Sequence, residues 1–204
     1  MTKEKQKSAQ KQEYQFLRQQ LYWLCWTWQD YKGLFSSEAD FEFMISMTGG
    51  LARVIRISML DSIQLHICAL IDPSKSKSGK NLSLRRLLHW CGDSQQNAER
   101  IDSLKEKLDE VDAVSSRMRK RRNKLIAHFD SPTILDEDSE LIEWPTADEI
   151  EGAVRLLIEA MNMAESLLGE AIFDYDSNVC RNGAETLLTI LKEAGNRKSG
   201  DHSA

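Results

Sequence analysis

The sequence predicts an all-α protein, an up-and-down helical bundle with additional short helices. Three observations carry that prediction. Only three prolines and ten glycines in 204 residues leave little material for the many tight turns of an all-β chain. Apolar residues recur at three- and four-residue spacings through long segments free of both. With 41% hydrophobic and 29% charged residues, the composition is that of a cored domain and not of a disordered chain. The length fits one core, too short for two domains. The expected organisation is a disordered N-terminus at 1–10, a bundle over 11–172, a C-terminal amphipathic helix at 173–195 packed on it, and a disordered tail at 196–204.

The first helix is expected from about Glu13 to Tyr31, with Phe16, Leu17, Leu21, Leu24 and Trp28 on one face and Gly33 as its stop. Trp23 and Trp26 widen its apolar surface, which suits packing on two neighbours or on another subunit. After the capping candidate Ser37, apolar positions from Phe41 to Ile71 cover most of the helical circumference. That is the profile of a buried central helix, with Gly49-Gly50 as its weak point and Asp72-Pro73 as its end. The loop SKSKSGKN (74–81) ends in Gly-Lys but lacks the first glycine and the Ser/Thr of a phosphate-cradling loop, and no strand precedes it. Asn81 or Ser83 can cap a short helix, Leu84 to Trp90. A long helix from about Ala98 to Ala127 follows, its stripe formed by Ile101, Leu104, Leu108, Val111, Val114, Met118 and Leu125. Trp144-Pro145-Thr146 then introduces the last long helix, striped by Ile150, Val154, Leu157, Met161, Ala164, Leu168 and Ala171, and a shorter amphipathic stretch spans Ala184 to Glu193.

Net charge is -5, yet residues 117–124, RMRKRRNK, hold six cations. A uniformly basic nucleic-acid binder would not look like this. Cys25, Cys68, Cys91 and Cys180 form no C-x-x-C pair, so neither a zinc ribbon nor a dithiol site is suggested, and a reducing compartment fits. His89 and Cys91 lack partners at metal spacing, and no metal or cofactor is expected. The first residues are polar, without the roughly 7 to 15 apolar residues of a signal-peptide core, and no run of about 18 apolar residues occurs. A cytoplasmic protein without a membrane partner is the expectation.

In the basic stretch, helical geometry separates two groups. With Leu125 set at 0° and 100° per residue, Met118 falls at about +20°, Arg122 at about +60° and His128 at about -60°. Arg122 and His128 thus flank the buried stripe, Arg117 and Arg121 lie at its edges, and Lys120 and Lys124 point away. A cation on a buried face costs several kcal/mol unless an anion meets it. Either an acid such as Asp61 or Asp72 pairs with Arg122, or with Arg53 or Arg56, or the site is open to an anionic ligand. Arg122 and His128 are about 9 Å apart along a continuous helix, too far for one copy to grip one phosphate closely. Two copies across a two-fold axis would bring both pairs together.

The motif RNKLIAH (122–128) resembles the arginine, polar residue and histidine signature of the HEPN superfamily, and LIDPSK (70–75), NLSLRRLL (81–88) and AHFD (127–130) are similar to its abortive-infection, AbiU-type branch. This resemblance implies a HEPN-like bundle and a metal-independent endoribonuclease of phage-defence or toxin-antitoxin systems. It implies an active site assembled from both protomers of a homodimer, RNA as substrate, and an antitoxin or other partner encoded nearby. His128 suits the acid or base role, because imidazole titrates near neutrality. Arg122 suits the charge that develops on phosphorus, as a planar fork of donors that keeps its proton. Asn123 matches the polar position and would orient the histidine or contact phosphate. Arg121 also satisfies the spacing. Arg117, Arg119, Lys120, Arg121 and Lys124 form either an RNA-guiding strip or a solvated helix face. Asp130 stands where some HEPN toxins carry a tyrosine that a partner enzyme modifies, so adenylylation there is not expected.

The alternative is a catalytically silent helical dimer that binds RNA or a protein partner as a regulatory component. A DNA-binding regulator is disfavoured, since no helix-turn-helix spacing accompanies the basic stretch. His66 reads as a hydrogen-bonded core or interface histidine, and the five tryptophans read chiefly as packing, with base stacking by Trp26 or Trp28 as the other use.

Overall fold

Long amphipathic segments with few breakers do form helices. The computed structural model describes residues 3–76, 79–91, 97–126, 142–175 and 183–200. Its helices are α1 (Lys3–Phe35), α2 (Glu38–Thr48), α3 (Leu51–Ile71), α4 (Ala98–Val114), α5 (Ser116–Arg121), α6 (Ala147–Leu168) and α7 (Gly183–Gly200). A 3-10 helix covers Leu84–His89, and a π-helical turn covers Arg122–Ile126. The fold is an all-α bundle, as the sequence predicts. The loop at 74–81 adds a two-residue antiparallel ladder, Lys75 opposite Lys80 and Ser76 opposite Gly79.

The widest helix pairings are α4 on α6 and α1 on α3, and α7 closes on α1 and α2. The core between them holds Leu17, Leu21, Leu24 and Trp28 of α1, Ile63, Ile67 and Ile71 of α3, Leu104, Leu108 and Val111 of α4, and Ile150, Leu157 and Met161 of α6. Each such side chain stabilises the fold by roughly 1.5–3 kcal/mol. Most residues of the predicted stripes are buried here, but Phe16 is half exposed, Ile101, Val114, Leu125 and Leu168 are half-buried, and Ala171 is exposed beyond the end of α6.

Local chemistry fixes the ends. Ser37 caps α2, its hydroxyl accepting from the Asp40 amide, and Thr146 and Glu149 form a reciprocal capping box at the start of α6. Gly169 ends α6 in the left-handed conformation, at φ 69°. Gly33 does not stop α1, which runs on to Phe35. A β-carbon there would come within 2.6 Å of the Ala184 β-carbon, so glycine at this position lets α7 approach α1. The helical spans also extend into stretches with a disordered composition: α1 begins at Lys3, in a run of good helix formers, and α7 continues to Gly200, with Gly195 seated near Phe43 and Met47.

Behind α6 a buried carboxylate holds the following segment. Tyr14 and Tyr175 hydroxyls donate to Glu165 Oε1 at 3.0 and 3.2 Å, and the Phe173 amide donates to Oε2 at 2.9 Å. Burial, reinforced by the Glu165 charge, pushes the Tyr14 phenol up to about 12 and moves Tyr175 in the same direction.

Two predicted continuities fail, each for a local reason. The central helix expected from Phe41 to Ile71 divides into α2 and α3 at Gly49, whose positive φ of 61° ends α2. The expected helix from Ala98 to Ala127 breaks at Ser115, whose buried hydroxyl donates to the Val111 carbonyl at 2.7 Å, a back-bond that bends helices. It then widens into the π-helical turn. The central helix is also less buried than its composition suggests: Leu51, Val54, Ile57 and Leu65 of α3 are exposed. By length and composition α3 could cross a membrane, although Arg53, Arg56 and Asp61 interrupt it.

Candidate active site

The site forms where the end of α3 meets the start of the π-helical turn. Asp72 is the C-cap of α3, its extended backbone (φ -54°, ψ 148°) set by the proline that follows. Its carboxylate faces Arg122, whose Nη1 lies 2.8 Å from both Asp72 oxygens. Arg122 Nε donates to the neighbouring Asn123 Oδ1 at 3.0 Å. Among the described residues the Nη2 donors of Arg122 have no partner. A π-turn, with its i to i+5 hydrogen bonding, is a frequent mark of functional positions within helices. Here it displaces the side chains from the angles of a continuous α-helix, and Arg122 and Leu125 are both half-buried instead of lying across a buried seam.

The seam residue is Arg121. It is 8% exposed, its Nη2 lies 3.3 Å from Asp61 Oδ1, and its guanidinium carbon lies 3.3 Å from the centroid of the Trp144 ring. Arg121 is thus held between an aspartate and an indole. Arg122, whose Nη2 donors have no partner among the described residues, is the arginine directly followed by the Asn of the motif.

The rest of the basic stretch is largely matched by acids. Arg119 pairs with Asp112, and Arg117 pairs with Glu143 at 3.3 Å and Glu149 at 3.6 Å. Lys120 and Lys124 are exposed. Asn123, expected to serve histidine or phosphate, uses its Oδ1 to accept from Arg122 Nε. Beneath the site Cys68 is fully buried, and desolvation pushes its thiol up to about 11 against the lowering effect of Arg122 and Arg119. A thiol so placed stays protonated and unreactive at neutral pH. His128 and Asp130 lie outside the described residues, as does Cys180.

His66 Nδ1 lies 2.9 Å from the Ser62 carbonyl, four residues back in α3, in keeping with a core histidine. His89 Nε2 lies 3.3 Å from the Ser74 hydroxyl. No group of three or more His, Cys, Asp or Glu side chains suited to a metal ion occurs among the described residues.

A feature that sequence reasoning missed opens toward the other end of α3. A cleft of about 770 Å³ lies between α1, α3 and the start of α6, lined by aromatic rings and by Arg53, Arg56 and Lys32. The signal in the sequence was a pair of arginines spaced three apart in the apolar first half of α3, and their surroundings come from distant segments.

A search of curated proteins and one of solved structures return no match. A model of the AbiU2 family of HEPN domains matches residues 8–180, a span that contains α2 to α6 and most of α1, the Asp72–Arg122 pair and the whole RNKLIAH motif. The chain therefore belongs to the AbiU2 family of HEPN proteins, a family associated with abortive infection.

Proposed function

We propose that the protein is a metal-independent endoribonuclease acting in abortive infection or a toxin-antitoxin pair, with its active site assembled at a homodimer interface. The observation that carries this reading is the state of Arg122. Asp72 and Asn123 fix its guanidinium through Nη1 and Nε, while among the described residues its Nη2 donors, at the head of the motif that leads to His128, have no partner. A donor fork oriented in advance can meet charge developing on a phosphoryl group without reorganising. In the reaction, a base removes the proton of the ribose 2'-hydroxyl and that oxygen attacks phosphorus. The 5'-oxygen then leaves with a proton from the acid, giving a 2',3'-cyclic phosphate and a 5'-hydroxyl. His128 serves as base or acid, and Arg122 stabilises the pentacoordinate phosphorane.

The dimer draws support from α3. Leu51, Val54 and Leu65 leave an apolar stripe open along the helix that ends at Asp72. A second copy laid on that stripe across a two-fold axis would cover it and bring both motifs together. Arg117, Arg119, Lys120, Arg121 and Lys124 flank the motif, and Lys120 and Lys124 are the residues best exposed to guide RNA.

The acid pairing of the basic stretch favours one other reading, a silent dimer that binds RNA or a partner protein, because an arginine held by aspartate is also what a purely structural contact looks like. Cleavage separates the two. Full-length protein incubated with RNA in EDTA should give 2',3'-cyclic phosphate ends, and His128→Ala should abolish them. Absence of cleavage by the wild type, or equal cleavage by the variant, would overturn the ribonuclease reading.

A further inference from the structure

The cleft at the N-terminal part of α3 has an unusual balance of charge. Lys32 is matched by Glu151 at 2.9 Å, and Glu151 also accepts from the Trp28 indole. Arg53 and Arg56 have no carboxylate partner among the described residues; Arg56 lies over the Phe41 ring, 4.4 Å from its centroid, and its Nε is 3.5 Å from the Tyr31 hydroxyl. Asp148, the other carboxylate lining the cleft, pairs with neither arginine. Guanidinium groups without anions against aromatic surfaces are the combination that binds a phosphate and stacks a base. The volume, about 770 Å³, lies within the usual range for a small-molecule site, roughly 300–1,000 Å³.

Position ties the cleft to RNA. Trp144 lines it, is 41% exposed, and carries on its ring the guanidinium of Arg121, the residue next to Arg122. We infer that the cleft is a nucleotide subsite for single-stranded RNA, in which Arg53 and Arg56 hold a phosphate and a base stacks against the aromatic wall, about 24 Å along α3 from the Asp72–Arg122 pair and so a few nucleotides from the scissile position. The inference rests on the ribonuclease reading for the identity of the strand, and the cleft's own chemistry supplies the rest.

The test uses binding without cleavage. A fluorescein-labelled strand of about twelve 2'-O-methyl nucleotides has no 2'-hydroxyl to attack phosphorus, so its anisotropy with full-length protein reports affinity alone. The double variant Arg53→Ala, Arg56→Ala should bind about tenfold more weakly or worse, and its dependence of log K on log salt should flatten by about 1, as loss of a phosphate contact requires. An abasic strand should bind the wild type several-fold more weakly, reflecting the lost stacking. Arg53→Gln, on an exposed side chain, gives a second variant with no packing to disturb. Equal affinity and equal salt slope in the wild type and both variants would overturn the proposal. So would a double variant that loses affinity only in step with a change of oligomeric state in sedimentation, which would assign the cleft to the second copy. Binding that behaves as expected while 2'-hydroxyl RNA stays uncut would sink the ribonuclease reading and leave the subsite standing.

Discussion

Helix α3 supplies both halves of an instructive contrast. Its Asp61 and Asp72 meet Arg121 and Arg122 of the basic stretch, whereas its own Arg56 meets the Phe41 ring and neither Arg53 nor Arg56 meets a described carboxylate. The densest run of positive charge in the sequence is thus mostly spent on acids within the chain, and two scattered arginines on an apolar helix carry the less compensated charge. Density of charge along a sequence does not measure the charge offered to a ligand. Desolvation demands a partner wherever a cation is buried, and the basic stretch lies where the bundle closes.

The largest effect expected from breaking this contrast is on activity. Arg122→Ala should lower single-turnover RNA cleavage by roughly 10²–10³, the cost of one donor aimed at a developing oxyanion. His128→Ala should lower it by roughly 10²–10⁴, as loss of an acid or base does. Arg122→Lys should recover little, since an ammonium cannot hold Asp72, Asn123 and phosphate in one plane. A variant that cuts as the wild type does would move the functional charge elsewhere, with the cleft as the first place to look.

Stability should separate the regions next. Arg121→Ala removes a buried cation, leaves Asp61 without its partner and uncovers the Trp144 ring, and should cost about 2–4 kcal/mol in urea unfolding. Arg53→Ala, on an exposed side chain without an ion pair among the described residues, should stay within about 0.5 kcal/mol. If the two cost the same, the distinction between paired and unpaired arginines would be false.

How much of this was legible in the sequence follows from the range of each interaction. The stripes of α1, α4 and α6 and the Ser37 and Thr146 caps are local periodicity and local chemistry, and they emerge where the residues say. Ser115 breaks α4 through a hydroxyl four residues from its acceptor, a signal present in the sequence but weak against a clean apolar stripe. Past that break, counting helical angles overreaches: it assigns Arg122 to the seam and Arg121 to its edge, whereas the π-turn and the Trp144 ring leave Arg121 buried and Arg122 half-buried. The aspartates were foreseeable as partners by charge, but which arginine each would take depends on how α3 crosses α5. The cleft was not legible at all, since Trp28, Phe41, Arg56 and Trp144 belong to four segments that only the fold brings together.

The smallest expected effect sharpens the contrast from inside the cleft. Burial pushes the Glu151 carboxyl up, but hydrogen bonds from Lys32 and Trp28 outweigh it and hold the group below the usual carboxylate range. A carboxyl depressed in the folded state contributes stability that is present above its unfolded value and lost as pH falls through the folded one. Neutral Glu151 would also release the charge of Lys32 into the cleft. Glu151→Gln imitates that state at neutral pH: the amide oxygen can still accept from the Trp28 indole, while the ion pair to Lys32 is gone. The variant should lose at most about 1 kcal/mol, the range for a pair this exposed, and should bind the 2'-O-methyl strand about two- to fivefold more tightly. Affinity that is unchanged or weaker would mean that the phosphate does not sit within reach of Lys32, confining the subsite to the Arg53 and Arg56 side of the cleft.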